Sequence, residues 1–162
     1  MIVGLAGKAG AGKTTFAKLL MKHSKSPVIL IPFAKALKRI AFDLGWDGKK
    51  DERGRKLLQL LGTDVCRNCI ADDYWIKKWV EQYEDAPTNA HIIADDVRFI
   101  NEVEAIVLRN GITFKVTGRK YDDVDSGHPS EKGIIGLPVI QNRGSLEALD
   151  DKAKVIAKEL GL

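Results

Sequence analysis

The octet Gly7-Lys8-Ala9-Gly10-Ala11-Gly12-Lys13-Thr14 has the spacing G-x-x-x-x-G-K-[ST]. Those residue types at that spacing can hold the phosphates of a nucleoside triphosphate. Glycines let successive backbone N–H groups turn inward around an anion, and a helix starting at the end of the loop adds its positive pole. Lys13 can then reach the β- and γ-phosphates, and the Thr14 hydroxyl can ligate Mg²⁺. The candidate ATP-binding residues are therefore Gly7, Ala9, Gly10, Ala11, Gly12, Lys13, Thr14 and Thr15. The competing reading is a plain Gly-rich turn. The setting favours the nucleotide, because the apolar run Ile2–Ala6 precedes the loop and the helix-like stretch Thr15–Met21 follows it.

A second group begins where Ile92-Ile93-Ala94 runs into Asp95-Asp96-Val97-Arg98. A carboxylate at the end of a buried strand beside the loop can complete the Mg²⁺ shell. Asp96 is the candidate and Asp95 the second choice; a strand-end carboxylate that caps a neighbouring turn is the alternative. Arg98 leaves the carboxyl end of the same strand. Its guanidinium fork matches phosphate oxygens two at a time. Arg39, Arg53, Arg55, Arg67 and Arg119 are further candidates for gripping an anionic acceptor, against a solvated surface role for each.

The acceptor's chemistry can be narrowed. A hydroxyl acceptor needs a carboxylate to take its proton, whereas a phosphate monoester is already an anionic nucleophile. After the second apolar run the sequence reads Pro32-Phe33-Ala34-Lys35, with no acid before Asp43. This favours a phosphate acceptor, unless Asp95 or Asp96 supplies a base.

Elements of alternating type must position these groups. Short apolar runs at Ile2–Ala6, Val28–Ile31, His91–Ala94, Ile112–Val116 and Pro138–Ile140 predict about five strands of a parallel sheet covered on both faces. Trp75, Ile76, Trp79, Val80 and Tyr83 fall on one helical face, and core packing is the better reading of the tryptophans than base stacking. Asn101 with Glu104 reads as a capping box for a helix that stops near Asn110-Gly111. Ser145 opens a last helix that Gly161 closes. The predicted class is α/β, a three-layer P-loop NTPase fold with helices on both faces of the sheet, formed by a single domain over 1–162. Residues 34–90 exceed a simple crossover and predict a helical substrate-binding insertion. The turn-rich stretch 118–137 predicts a lid.

Length and composition set outer limits. A chain of 162 residues has no room for a large second module. Its net charge of +4 calls for neither nucleic acid nor any other polyanion. No run approaches the ~20 apolar residues of a membrane span, and the first residues lack the basic leader of a signal peptide. Together these point to a cytoplasmic protein, with no membrane partner and no nucleic-acid partner. The two cysteines form one C-x-x-C, Cys66 and Cys69. That is half a zinc set, and two reduced thiols near a helix end is the simpler reading.

Beyond the loop, several blocks occur in a recognisable order. They are Pro32-Phe33-Ala34-Lys35-Ala36-Leu37-Lys38-Arg39, Leu58-Gln59-Leu60-Leu61-Gly62-Thr63-Asp64, Asp96-Val97-Arg98-Phe99-Ile100-Asn101-Glu102, His128-Pro129-Ser130-Glu131 and Val139-Ile140-Gln141-Asn142. With them the chain resembles the phage-type deoxynucleoside monophosphate kinases, within the P-loop nucleoside monophosphate kinase group. The resemblance implies Phe33 and Arg39 at the monophosphate site, Arg67 and Arg98 on its phosphate, and Arg119 in a lid over the triphosphate. It also implies Asn142 and Gly144 near the donor's adenine. Thr14 stands where some relatives carry Asp, which implies an ordinary P-loop metal shell.

The expected activity is transfer of the γ-phosphate of MgATP to a (deoxy)nucleoside monophosphate, by a monomer or homodimer. Lys13, Arg98 and Arg119 would be its catalytic residues, with Thr14 and Asp96 on the metal. Two alternatives stand beside it: a kinase of another phosphorylated metabolite, phosphomevalonate-like, and a P-loop switch protein. An N-K-x-D guanine motif is absent from the sequence, which weighs against a GTPase.

Overall fold

Five short apolar segments pair into one sheet: β1 (Ile2–Ala6), β2 (Val28–Leu30), β3 (His91–Val97), β4 (Ile112–Thr117) and β5 (Val139–Gln141). Their order is β2-β3-β1-β4-β5 and every pairing is parallel. The computed structural model describes residues 1–118 and 134–162. The chain divides into two compact units, Met1–Ile31 with Ala86–Leu162, and Pro32–Asp85. The first contains the whole sheet and the second is helical.

In the sheet unit, side chains alternate between faces as strand geometry requires. Val3, Leu5, Ile93, Val116 and Ile140 meet Phe16, Ala17 and Leu20 of α1 (Lys13–His23) and Leu149, Ala153 and Ala157 of α6 (Leu146–Leu160) on one side. The other side receives α5 (Ile100–Val107). There a side chain at Gly4 would stand 2.7 Å from Ile106 and 2.6 Å from the Thr113 hydroxyl. Only glycine lets α5 sit that close. The result is helix, sheet and helix in three layers, the doubly wound arrangement the alternating pattern predicts.

The ends of the elements follow local chemistry. Ser145 caps α6 by accepting the Ala148 N–H at 3.2 Å, and Gly161 closes it with φ 66°. Asp150 of α6 pairs with Lys22 at 2.9 Å and His23 at 2.8 Å, the last two residues of α1. Most boundaries fall within a residue of the sequence reading, and two differ in ways that bear on the site. β3 runs on to Val97 instead of stopping at Ala94, and α5 begins at Ile100 rather than behind Asn101. Glu102, buried, accounts for the second. Its carboxylate accepts the backbone N–H of Arg98 at 2.7 Å and of Phe99 at 3.2 Å, so Glu102, not Glu104, reaches back over the first turn.

The helical unit comprises α2 (Ala34–Asp43), α3 (Glu52–Gln59), a π-helix over Leu60–Ile70, and α4 (Tyr74–Glu84). Aromatic rings fill it. Trp79 is fully buried, with Phe33 stacked on it at 4.7 Å and Tyr83 at 5.7 Å. Trp75 is buried too, and Tyr74 meets it edge-on at 4.8 Å. Trp75 donates its indole N–H to the Gly62 carbonyl at 2.7 Å, which ties α4 to the π-helix. Widened turns of this kind are rare and short in most proteins; here they span 11 residues.

No helix among the described residues is long and apolar enough to cross a membrane.

Candidate active site

The loop between β1 and α1 leaves the carboxyl end of the third of five strands, where ligands collect in parallel sheets. Its shape comes from glycine. Gly7, Gly10 and Gly12 have φ of 135°, 79° and 96°, in a region other residues enter only with strain. Two of them are also held tightly, because an added Cβ would run into the Val116 carbonyl at Gly7 and into the Asn142 amide at Gly12. Gly12 starts α1 with no side-chain cap and no acid in the first turn. The first N–H groups of α1 are thus offered outward, an arrangement suited to an anion.

Lys13 folds over this loop and donates to the carbonyls of Gly7 at 2.6 Å and Lys8 at 2.8 Å. Thr14, exposed at the first turn, donates its hydroxyl to Asp95 Oδ2 at 2.6 Å. The carboxylate that accepts from the threonine is therefore Asp95, the second choice of the sequence reading. The reason lies in the register. Gly4 pairs with Ala94 and Ala6 with Val97, so two residues of β3 oppose Leu5 alone. This bulge breaks the simple alternation of faces and re-aims the side chains at 95 and 96.

A threonine hydroxyl with one carboxylate fits a Mg²⁺ site of the kind in which phosphate oxygens and water complete the shell. No group of three or more His, Cys, Asp or Glu able to hold a metal exists among the described residues, and such a site needs none.

Arg98 follows β3 directly and is exposed, with its backbone fixed by Glu102. Asn142 follows β5. Its side chain donates to the Ala11 carbonyl at 3.0 Å, so it meets the loop itself. Gly144 is exposed two residues on. Arg119, the His128–Glu131 block and most of the 118–137 stretch lie outside the described residues.

Within the helical unit, Phe33 is buried in the aromatic stack, and Arg39 is exposed on α2. Arg67 sits in the π-helix with its side chain 3% exposed. It donates to the Asp72 carbonyl at 2.7 Å. The two cysteines are free thiols. Burial pushes the Cys66 thiol pKa up, while exposed Cys69 donates to the Asp64 carbonyl at 3.0 Å.

Glu102 is the residue that sequence reasoning passed over, and Asp95 is the one it ranked second. A glutamate three positions after Phe99 was a readable signal for the first. Nothing in the sequence announces the bulge.

The family of deoxynucleotide monophosphate kinases matches residues 31–153 of this sequence. The chain belongs to that family. Among its relatives are the deoxynucleotide monophosphate kinases of Escherichia phage RB69, 31% identical over 111 residues, and of Enterobacteria phage T4, 33% identical over 113 residues. These alignments cover 64% and 65% of this chain but 44% and 46% of the relatives. The chain thus spans about half the length of the curated relatives it matches. Among solved structures, an unliganded sugar kinase from Janibacter sp. aligns over 99% of this chain and 95% of its own, with a TM-score of 0.48 and 13% identity. Since the family match begins at residue 31, the Gly7–Thr14 loop rests on its own sequence and geometry.

Proposed function

We propose that this member of the deoxynucleotide monophosphate kinase family transfers the γ-phosphoryl group of MgATP to a (deoxy)nucleoside monophosphate, giving the diphosphate. One observation carries the reading. Thr14, beside the loop lysine, is hydrogen-bonded to Asp95 at the carboxyl end of the neighbouring strand, in a chain of this family.

The backbone N–H groups of the loop receive the triphosphate, and the Lys13 ammonium moves from the Gly7 and Lys8 carbonyls to the β- and γ-oxygens. Thr14 and Asp95 are the residues that would hold Mg²⁺, and the ion would supply charge neutralisation during the transfer. The acceptor's own phosphate oxygen attacks the γ-phosphorus in line, so the protein need not remove a proton. The absence of an acid between Pro32 and Phe42 agrees with that. Arg98 is the candidate from the sheet unit for the acceptor phosphate. Phe33, Arg39 and Arg67 are the candidates from the helical unit, with Arg119 for the lid and Gly144 for the adenine.

A coupled ADP-release assay with MgATP and a panel of deoxy- and ribonucleoside monophosphates tests this. Turnover with one or a few deoxynucleotides is the expected outcome. Silence across the panel in a chain that binds ATP would overturn it, in favour of another phosphorylated acceptor or a switch protein.

A further inference from the structure

A loop that receives an anion on its N–H groups has to turn its carbonyls away. Each carbonyl turned away needs a donor elsewhere, because an unmet buried acceptor costs about as much as a lost hydrogen bond. Ala11 lies in the middle of the loop and is buried. Its carbonyl accepts a 3.0 Å hydrogen bond from the Asn142 side-chain amide, 131 residues away in sequence.

Asn142 is itself anchored. Its backbone N–H donates to the carbonyl of Thr117, the last residue of β4, at 2.6 Å. Gly118, with φ 134°, has no side chain and so lets the Asn142 carbonyl pass close by. On the loop side, Gly12 leaves the space that the Asn142 amide occupies. The ends of β4 and β5 therefore converge on one side chain, and that side chain grips the phosphate-binding loop. The chemistry selects asparagine. A carbonyl takes only a donor, and a neutral amide brings no negative charge to a site meant for a triphosphate. An aspartate of the same shape would fail on both counts.

We propose that Asn142 is a positioning residue that holds the Gly7–Thr14 loop in its anion-receiving form, rather than the adenine contact the family resemblance implies. The proposal rests on that loop being the triphosphate site. It predicts that Asn142 acts on every ligand with a triphosphate tail, whatever base is attached.

The test is calorimetric titration of the full chain with MgATP, MgGTP and inorganic tripolyphosphate, in wild type, Asn142→Ala and Asn142→Asp. Hydrogen exchange of the loop amides is followed in parallel. Expected is a loss of affinity on the order of tenfold in Asn142→Ala, and a larger one in Asn142→Asp. The loss should be the same for tripolyphosphate as for ATP, with the ATP-to-GTP ratio unchanged and faster exchange at residues 8–13. Asn142→Asp keeps the side-chain volume, so it carries the comparison if the alanine variant does not fold. Tripolyphosphate binding that survives unchanged in a folded variant, with a shifted ATP-to-GTP ratio, would overturn the clamp and return Asn142 to the base. A wild-type chain that binds neither ATP nor tripolyphosphate would instead overturn the loop assignment, and the clamp with it.

Discussion

In the sheet unit, the groups offered to a ligand are backbone N–H groups, shaped by glycines at positive φ and by one amide that grips the loop from β5. In the helical unit, the candidate groups are side chains, and two of them, Phe33 and Arg67, are buried among neighbours of their own unit. A backbone site is shaped by a short local motif at a strand end, braced here by one side chain from beyond β5. A side-chain site depends on packing among several successive helices, and here on an 11-residue π-helix whose widened turns carry Arg67. Chemistry and stability should therefore separate in the sheet unit and be entangled in the helical unit.

The sharpest test of that separation is Lys13→Ala. Its ammonium donates to two loop carbonyls, so kcat/KM should fall by about 10³-fold or more. Thermal unfolding should barely move. A large drop in Tm would break the comparison from the sheet side. The counterpart is Trp79→Ala, which removes the middle ring of a three-ring stack. It should cost about 3–5 kcal/mol of stability, read by denaturant unfolding, while the affinity for tripolyphosphate stays near wild type.

The same contrast explains what could be read from the sequence. All five strands were legible because each is a short apolar run bounded by turn residues, and the loop because its spacing is diagnostic. The choice between Asp95 and Asp96 was not legible. It depends on an extra residue in β3 opposite Leu5, and a bulge is a property of two paired strands rather than of either one. The start of α5 was misjudged by a residue or two because Asn101 with Glu104 imitates a cap, while the carboxylate that reaches back is Glu102. The π-helix was hidden for a similar reason. Its apolar spacing resembles that of an α-helix, and the Gly62 carbonyl that takes the Trp75 indole is selected by tertiary packing. The particular subsites given to Phe33, Arg39, Arg67, Arg119 and Gly144 came from family resemblance, whereas Arg98 was marked independently by its place after an apolar strand.

Two arginines sharpen the comparison at a smaller scale. Arg98→Ala and Arg67→Ala should each raise the acceptor KM about 10- to 100-fold with little effect on ATP. They should differ in stability. Removing exposed Arg98 should cost the less of the two, whereas loss of buried Arg67 orphans the Asp72 carbonyl and should cost about 1–3 kcal/mol. Steady-state kinetics paired with unfolding curves reads both. Equal stability in the two variants would erase the proposed difference between the units.

The smallest effect belongs to the joint between α1 and α6. Lys22, and after it His23, hold the Asp150 carboxyl below the ordinary carboxylate range. A depressed folded pKa contributes stability above the unfolded value near pH 4, and that contribution is lost as the pH falls through the folded value. Asp150→Asn should therefore be slightly less stable than wild type at pH 7, and the gap should close on acidification below about pH 4. A gap that persists to pH 2 would mean that Asp150 acts through packing instead.

The central claim, transfer from a loop-bound donor to a phosphate acceptor, is tested most directly by following the γ-phosphate itself. ATP labelled at that position is incubated with the chain, Mg²⁺ and the deoxynucleoside monophosphate that gives turnover, and the products are separated. The account predicts label in the deoxynucleoside diphosphate at its terminal phosphate, with Lys13→Ala abolishing it. Label found only in inorganic phosphate, at a rate indifferent to the monophosphate, would contradict it.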